Sequence, residues 1–213
     1  MNKIHVLALT MLLYPSSFLC QDEWKFKKEK YEIRAFTRPH PDYNIHEYKV
    51  ETKLSTSIAD IISVMMEESS YLKIFKDLKD IKFYNKSDNH LELFLVNKAP
   101  FPTRYRDGYF ISEFSYDPIK KTARIDITCP STKYHNKKYI EITRCQGFWE
   151  FYQKEENIVN LTHQFVADPG GFLPGFILNI FLVNNPINTV RDLKIILKKG
   201  NYQKKEFKFL TNK

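Results

Sequence analysis

The sequence predicts an α+β fold in which a curved antiparallel β-sheet wraps around a long C-terminal α-helix. After Trp24, apolar and polar residues alternate along most of the chain, as expected for strands with one wet face. Turn signals such as Asp117-Pro118 separate successive strands, which favours hairpins over crossovers. Two segments carry a helical period, and residues 172–183 of the second contain no charge. A sheet of about six or seven strands would curl around such a helix.

The strands are assigned from this alternation. The clearest strand is 123–129, where odd positions are apolar and even positions polar, and residues 147–151 and 159–167 repeat the pattern. Weaker strands are predicted at 32–37, 46–53, 91–96, 109–116 and 139–145. If 123–129 and 139–145 form a simple hairpin, Cys129 faces Tyr139 rather than Cys145, so we expect a disulfide between the two cysteines to be geometrically awkward.

The two helical segments have recognisable boundaries. The first begins at Ser57, a residue suited to an N-cap, and places its isoleucines on one face. The second follows the strand-breaking stretch 168–171, and Pro174 fits its first turn. Pro186 is expected to kink or split this helix.

The N-terminal residues differ in composition from the rest of the chain. Residues 4–14 form an apolar run preceded by Lys3 as the only charge, and this run is shorter than the roughly 20 residues that span a bilayer. We therefore predict a signal peptide at 1–20, cleaved between residues 16 and 21, and a protein that is periplasmic or secreted. Lipidation at Cys20 is the less favoured alternative.

Composition excludes several classes of protein. The chain has 17 Phe and 13 Tyr but 6 Gly among 213 residues, which disfavours disordered chains and leaves no glycine-rich loop for a nucleotide. A net charge of +8 with both signs interspersed does not indicate a nucleic-acid partner. No cysteine or histidine spacing supports a metal site. The basic tail, 200–213, is expected to be solvated or, alternatively, attracted to an anionic membrane surface.

Four stretches, in this order, resemble the START domain family, especially its exported bacterial members. They are KYEIRAFTRP at 30–39, APFP at 99–102 leading to Arg106-Asp107, GFW at 147–149, and ADPGGFLP at 167–174 followed by Asn179. The resemblance covers about 24–199. The chain departs from the family at Gly108, where an apolar residue is usual, so the local strand is expected to start later. It also departs at the bulky pair Arg104-Tyr105.

The resemblance implies a helix-grip fold with a hydrophobic tunnel for one lipid-like molecule, without a cofactor and without catalytic residues. Alternation then decides which residues face this tunnel, although the same rings would also suit a dry core. The predicted lining residues are Leu93, Phe110, Ser112, Ile125, Ile127, Ile142, Arg144, Trp149, Phe151, His163, Phe165, Phe176 and Ile180.

The polar members of this set have competing interpretations, because a buried polar group needs a partner. Arg144 either points inward to a carboxylate or lipid headgroup, or reaches solvent at a strand end. His163 is interpreted first as a satisfied core histidine, then as a headgroup contact or a catalytic base. Ser112 either contacts a ligand or bonds its neighbours. Arg106-Asp107 is interpreted as structural, positioning the start of a strand.

The predicted function is binding, and transfer, of a lipid or sterol-like molecule by a monomer, with the loop from Asn97 to Tyr105 as a candidate lid. Transient contact with an anionic membrane belongs to this hypothesis. One alternative is an enzyme of the cyclase or hydrolase type with the same hollow architecture, using His163 or Arg144. Another is an exported interaction module that binds its partner through the basic tail.

Overall fold

The strands of the described chain form one sheet. The structure is a computed structural model that describes residues 23–132 and 134–211; the predicted signal peptide and Cys20 lie outside the described residues. The strands are β1 (Lys25–Lys30), β2 (Ile33–His40), β3 (Tyr43–Leu54), β4 (Leu78–Lys86), β5 (His90–Asn97), β6 (Arg106–Asp117), β7 (Thr122–Thr128), β8 (Ile140–Ile142), β9 (Cys145–Glu155) and β10 (Ile158–Ala167). Their order is β1-β2-β3-β10-β9-β7-β6-β5-β4, and β8 pairs with β6.

Every pairing is antiparallel except that of β8 with β6, which is parallel. The sheet is not closed, since β1 and β4 stand at opposite edges. The helices are α1 (Ile58–Met65), α2 (Glu68–Ile74), α3 (Gly175–Asn179), α4 (Asn185–Lys199) and α5 (Lys208–Thr211), with a π-helical turn at Ile180–Asn184. The predicted α+β class and C-terminal helix are confirmed. No helix within 23–132 or 134–211 has the length and apolar character needed to cross a membrane.

Both predicted helical segments form, for the expected reasons. Ser57 caps α1 because its hydroxyl accepts the Asp60 N–H, at 3.1 Å, and this satisfies one of the donors left open in the first turn. Pro186 does not break the chain's helical path. It lies in the first turn of α4, where a missing N–H is tolerated, and the π-helical turn widens the helix immediately before it.

Some elements are not predicted from the sequence because their patterns are irregular. β1 is exposed at every residue and therefore lacks an apolar alternation. β4 carries register shifts between Leu78 and Asp80 and between Phe83 and Asn85, which interrupt the period of two. β6 begins at Arg106, so the expectation that Gly108 delays its start is wrong.

The hairpin between 123–129 and 139–145 does not form, and this corrects the disulfide prediction. β8 ends at Ile142 and runs parallel to the start of β6, while β7 pairs with β9 instead. Thr128 lies opposite Gln146, so the next positions outward, Cys129 and Cys145, face each other. They are disulfide-bonded with their Cα atoms 5.3 Å apart, within the usual range.

The C-terminal tail packs against the domain through a few of its described residues, 200–211, while most of that part, including Lys204 and Lys208, stays exposed to solvent. Phe207 is buried in the core. The Lys205 N–H donates to Ser63 Oγ and the Phe209 N–H to Asp88 Oδ2, each at 3.0 Å. Residues 200–211 therefore help to cover the sheet rather than forming a free basic arm.

The concave face of the sheet has two ends with different packing. At one end of this face, β10 begins and β6 ends; we call it the filled end. The helices α1 and α4 and the side chain of Phe207 pack there. At the opposite end, β10 ends and β6 begins; we call it the hollow end. Residues 173–189 cover it. The filled end contains fully buried side chains, among them Ile33, Val50, Ile61, Phe151, Val159 and Leu193.

Candidate ligand-binding cavity

A cavity of about 250 Å³ lies at the hollow end, between the concave face and the helical segment. Most of its wall is apolar or aromatic. Residues from β3, β5, β6, β7, β9 and β10 form one side, and residues 173–189 form the other. The aromatic interior is therefore solid at one end and open at the other.

Most of the predicted lining residues surround this cavity, because strand alternation assigns their faces correctly. Register brings them together: Phe110 lies opposite Leu93, and Ile125 lies opposite Trp149. The predicted residues found in the wall are Leu93, Phe110, Ser112, Ile125, Ile127, Ile142, Trp149, His163 and Phe165.

Four predicted lining residues lie elsewhere. Phe151 is on the same face as Trp149 but is fully buried at the filled end. Arg144 is exposed and stacks over Tyr43, 4.4 Å from its ring centre, because β8 ends before the alternation reaches it. Phe176 is exposed, and Ile180 is half-buried outside the wall.

The helical residues were misassigned by a shift of register along the helix. Phe176 and Ile180 were expected to line the cavity, whereas Leu178, Leu182 and Pro186 do so. The π-helical turn begins at Ile180 and interrupts the period of 3.6 residues on which the assignment of Ile180 depends.

Several lining residues were missed. Tyr48 belongs to a predicted strand, and its register opposite Phe165 is the signal that would have placed it in the wall. Tyr71 and Phe75 lie on or just after α2, which has no clear sequence signature. Arg106 also lines the cavity, although the sequence suggested only a structural role.

His163 is a neutral, fully partnered histidine in the cavity wall. Its Nδ1 lies 2.9 Å from the Phe148 carbonyl oxygen, which can only accept, so Nδ1 carries the hydrogen. Nε2 then accepts from the Tyr48 hydroxyl at 2.8 Å. The ring stacks on Trp149 with centroids 3.7 Å apart. Burial lowers the pKa of His163 to about 3, because charging the ring would require a buried cation.

These contacts favour the first interpretation of His163, a satisfied core histidine. Both ring nitrogens are occupied, so the ring has no free site for a ligand proton. The Tyr48 hydroxyl, which donates to His163, can still accept a hydrogen bond, and Tyr48 lines the same cavity. Ser112 is buried in the wall, and its hydroxyl has no hydrogen-bond partner among the described residues. The wall thus offers a small number of neutral polar groups.

Arg106 and Asp107 point to opposite faces of β6 and hold different segments. The Asp107 carboxylate is fully buried; it accepts from His135 Nδ1 and from the Asn136 N–H, each at 2.8 Å. The Arg106 guanidinium donates to the Arg104 carbonyl at 2.5 Å and to the Pro169 carbonyl at 3.2 Å. As expected, both side chains position the start of β6.

Exposed aromatic residues lie close to the hollow end. Phe101 is 95% exposed and Phe172 is 85% exposed. Their loops are neighbours, because the Arg106 side chain binds carbonyls on both sides, Arg104 and Pro169. Basic side chains are also near: Arg104 donates to the carbonyls of Lys137, Lys138 and Tyr139. Within the described residues, no group of three or more His, Cys, Asp or Glu is arranged to hold a metal ion.

Comparison with known proteins shows the fold. No family model matches the chain. An uncharacterized protein of Pseudomonas aeruginosa is 20% identical over 195 residues, which are 90% of this chain and 95% of that protein. Among solved structures, a STAR-related lipid transfer protein fragment from Xanthomonas axonopodis has a TM-score of 0.75 and 22% identity, covering 83% of this chain and 99% of that one.

Two further structures extend the comparison. Human StAR-related lipid transfer protein 5 has a TM-score of 0.70 and 14% identity, covering 83% of this chain and 87% of that one. An aromatase/cyclase from Streptomyces has a TM-score of 0.50 and 14% identity, covering 72% and 93%. The chain therefore has the START-like helix-grip fold, as the sequence resemblance predicted.

Proposed function

We propose that the protein binds a hydrophobic molecule, such as a lipid, in the cavity at the hollow end and releases it unchanged. The observation that carries this proposal is an apolar cavity of about 250 Å³ between the sheet and residues 173–189. Ligand sites of this kind are concave, mostly apolar and carry a few polar groups. Solved lipid transfer proteins with this fold support the same conclusion.

The test is a cavity-filling substitution with a matched control on the same strand. Ser112→Phe places a ring inside the cavity, whereas Ser115→Phe places it on the exposed face of β6. Lipids extracted from the purified chain, residues 21–213, would be identified by mass spectrometry, and binding of a fluorescent apolar probe would be titrated. We expect the wild type and Ser115→Phe to bind, and Ser112→Phe to lose at least about tenfold in affinity. Equal binding by both variants would contradict the proposal.

Transfer between membranes is part of the proposal, with the protein acting as a monomer. The loop from Asn97 to Tyr105 serves as a lid, and the exposed rings of Phe101 and Phe172 enter a bilayer when it opens. The lysine and arginine side chains around this loop attract an anionic surface. No bond of the ligand changes, so the direction of transfer follows differences in concentration or affinity.

An enzyme remains the second candidate, favoured by one observation: the Tyr48–His163 hydrogen bond lies in the cavity wall. A solved aromatase/cyclase is similar to this chain in fold. Under this alternative, His163→Gln would abolish turnover of a cyclisable apolar substrate while leaving ligand binding intact. Under the carrier proposal, no turnover is detected with either protein.

Export is proposed on the signal-peptide pattern and on the Cys129–Cys145 disulfide, since such bonds persist in oxidising compartments. The test is N-terminal sequencing of the protein recovered from a bacterial periplasm. A new N-terminus between residues 17 and 21 is expected. An intact Met1 on cytoplasmic protein would contradict export.

A further inference from the structure

The cavity wall contains one buried charge. Among the described lining residues, Asp77 and Arg106 are the ones with ionised side chains, and Asp77 is exposed to water. Arg106 is only 3% exposed. A charge removed from water needs a counter-charge or a full set of hydrogen bonds to offset the loss of hydration.

Arg106 has neither of these. Its partners are three neutral carbonyls, those of Arg104, Pro169 and, at a marginal 3.5 Å, Gly170. A guanidinium has five N–H donors, so part of its capacity is unused within the described chain. Three other arginines, Arg38, Arg124 and Arg191, pair with carboxylates, for example Arg38 with Glu47 at 2.5 Å. Arg106 forms no ion pair with any carboxylate of the described residues.

Arg106 lies on the face of β6 that lines the cavity, so its remaining N–H donors lie beside the space proposed for the ligand. Alternation places Arg106 on the same face as Phe110 and Ser112, both in the cavity wall. Gly108, the intervening position on that face, has no side chain to separate them. Asn97, which lies opposite Arg106 in the β5–β6 register and also lines the cavity, has no side-chain hydrogen bond among the described residues. Burial lowers the pKa of Arg106, as expected for a cation without a counter-charge.

Resting on the proposed function, we infer that Arg106, assisted by Asn97, binds the anionic end of a single-chain amphiphile whose alkyl part lies along Phe110 and Trp149. The anionic end is a carboxylate or a phosphate, the groups that a guanidinium binds in two-pronged geometry. A volume of about 250 Å³ is below the roughly 300–1,000 Å³ of typical ligand pockets, which favours one alkyl chain over two.

The experiment compares three competitors that carry alkyl chains of similar length and differ in their polar end: laurate, dodecyl phosphate and dodecanol. Each displaces a fluorescent apolar probe from the wild-type protein at pH 8, where both acids are ionised. We expect laurate or dodecyl phosphate to bind at least about tenfold more tightly than dodecanol, because charge-assisted hydrogen bonds exceed neutral ones. The stronger of the two acids identifies the carboxylate or the phosphate as the preferred group.

Substitutions then test whether Arg106 causes the preference for the anionic probe. In Arg106→Met, we expect the affinity for the preferred acid to fall to that for dodecanol, and Arg106→Lys should retain part of the preference. Arg34→Met is the matched control, since Arg34 is exposed on β2. Asn97→Leu provides a second variant, with a smaller loss, should Arg106→Met not fold.

The outcomes separate this inference from the proposed function. If the fluorescent probe itself does not bind the wild type, the proposed function fails. If the fluorescent probe binds and laurate, dodecyl phosphate and dodecanol displace it equally, the proposed function stands and the role of Arg106 is overturned. Retention of the full preference in Arg106→Met, or its loss in Arg34→Met, would also overturn the inference.

Discussion

The filled and hollow ends of the concave face are built from the same strands, yet they pack differently. At the filled end, β2 and β3 pack against α4, and the side chains of Ile33 and Val50 are fully buried. At the hollow end, Ile127 and Phe165 have the same alternation but remain half-buried around the cavity. The difference lies in the covering segment. A regular helix fills the groove with branched side chains, whereas 173–189 contains a π-helical turn and does not.

The comparison predicts that matched isoleucines at the two ends differ in their contribution to stability. Ile33→Ala should lower the free energy of unfolding by about 2–5 kcal/mol, because it leaves a cavity in a dense core. Ile127→Ala should cost about 1 kcal/mol, since its side chain already faces open space and loses fewer contacts. Urea unfolding followed by circular dichroism measures both. Equal losses would show that the hollow end is as densely packed as the filled end.

His163, in the cavity wall, predicts a specific pH dependence. Its pKa is lowered to about 3 in the folded protein, against about 6.5 in an unfolded chain. The unfolded state therefore binds more protons between these values, so stability is full above pH 6.5 and falls as the pH decreases.

Over pH 6 to 4, the free energy of unfolding of the wild type should fall more steeply than that of His163→Gln, by about 1.4 kcal/mol per pH unit. The wild type and His163→Gln have the same carboxylates, so the contribution of these groups cancels when the two free energies of unfolding are subtracted. Parallel curves would mean that His163 is hydrated, and that the hollow end admits water as far as Trp149.

The smallest expected effect on stability concerns the exposed rings at the hollow end. Phe101→Ser and Phe172→Ser should leave the free energy of unfolding within about 0.5 kcal/mol, because both rings already lie in water. They should nevertheless slow transfer of a bound fluorescent lipid to anionic vesicles. Ile119→Ser is the control: Ile119 is 93% exposed but lies in the β6–β7 turn, at the filled end. Equal slowing by all three would remove any special role of the hollow end.

The sequence predicts those parts of the molecule where one local pattern is sufficient. Alternation in 123–129 and 159–167 places their inward side chains correctly, and Ser57 correctly begins a helix. The cavity itself was expected from the resemblance to the START family. Its strand-derived lining follows from register, because residues two apart on one strand share a face.

Errors occur where long-range pairing decides the outcome. Arg144 was placed inside because 139–145 was treated as one continuous strand, whereas the chain leaves β8 at Ile142. The same misassignment separated Cys129 from Cys145. Ile180 was misplaced because no local signal marks the π-helical turn in which it lies, whereas Phe176 precedes this turn and lies on the exposed face of α3. Arg106-Asp107 was expected to position the start of a strand and does so, but the adjacency of the two residues gave no sign that their side chains point to opposite faces, Arg106 toward the cavity.

Gly108 has a consequence for the size of ligand that the cavity admits. A methyl group at this position would lie 2.8 Å from Cε2 of the Phe110 ring and 3.3 Å from Cβ of Ile142. The ring of Phe110 therefore rests in space that the side chain of any other residue would occupy. Because Phe110 lines the cavity, we expect a larger residue at position 108 to displace this ring and reduce the cavity, and under the proposed function to shorten the alkyl chain that is bound.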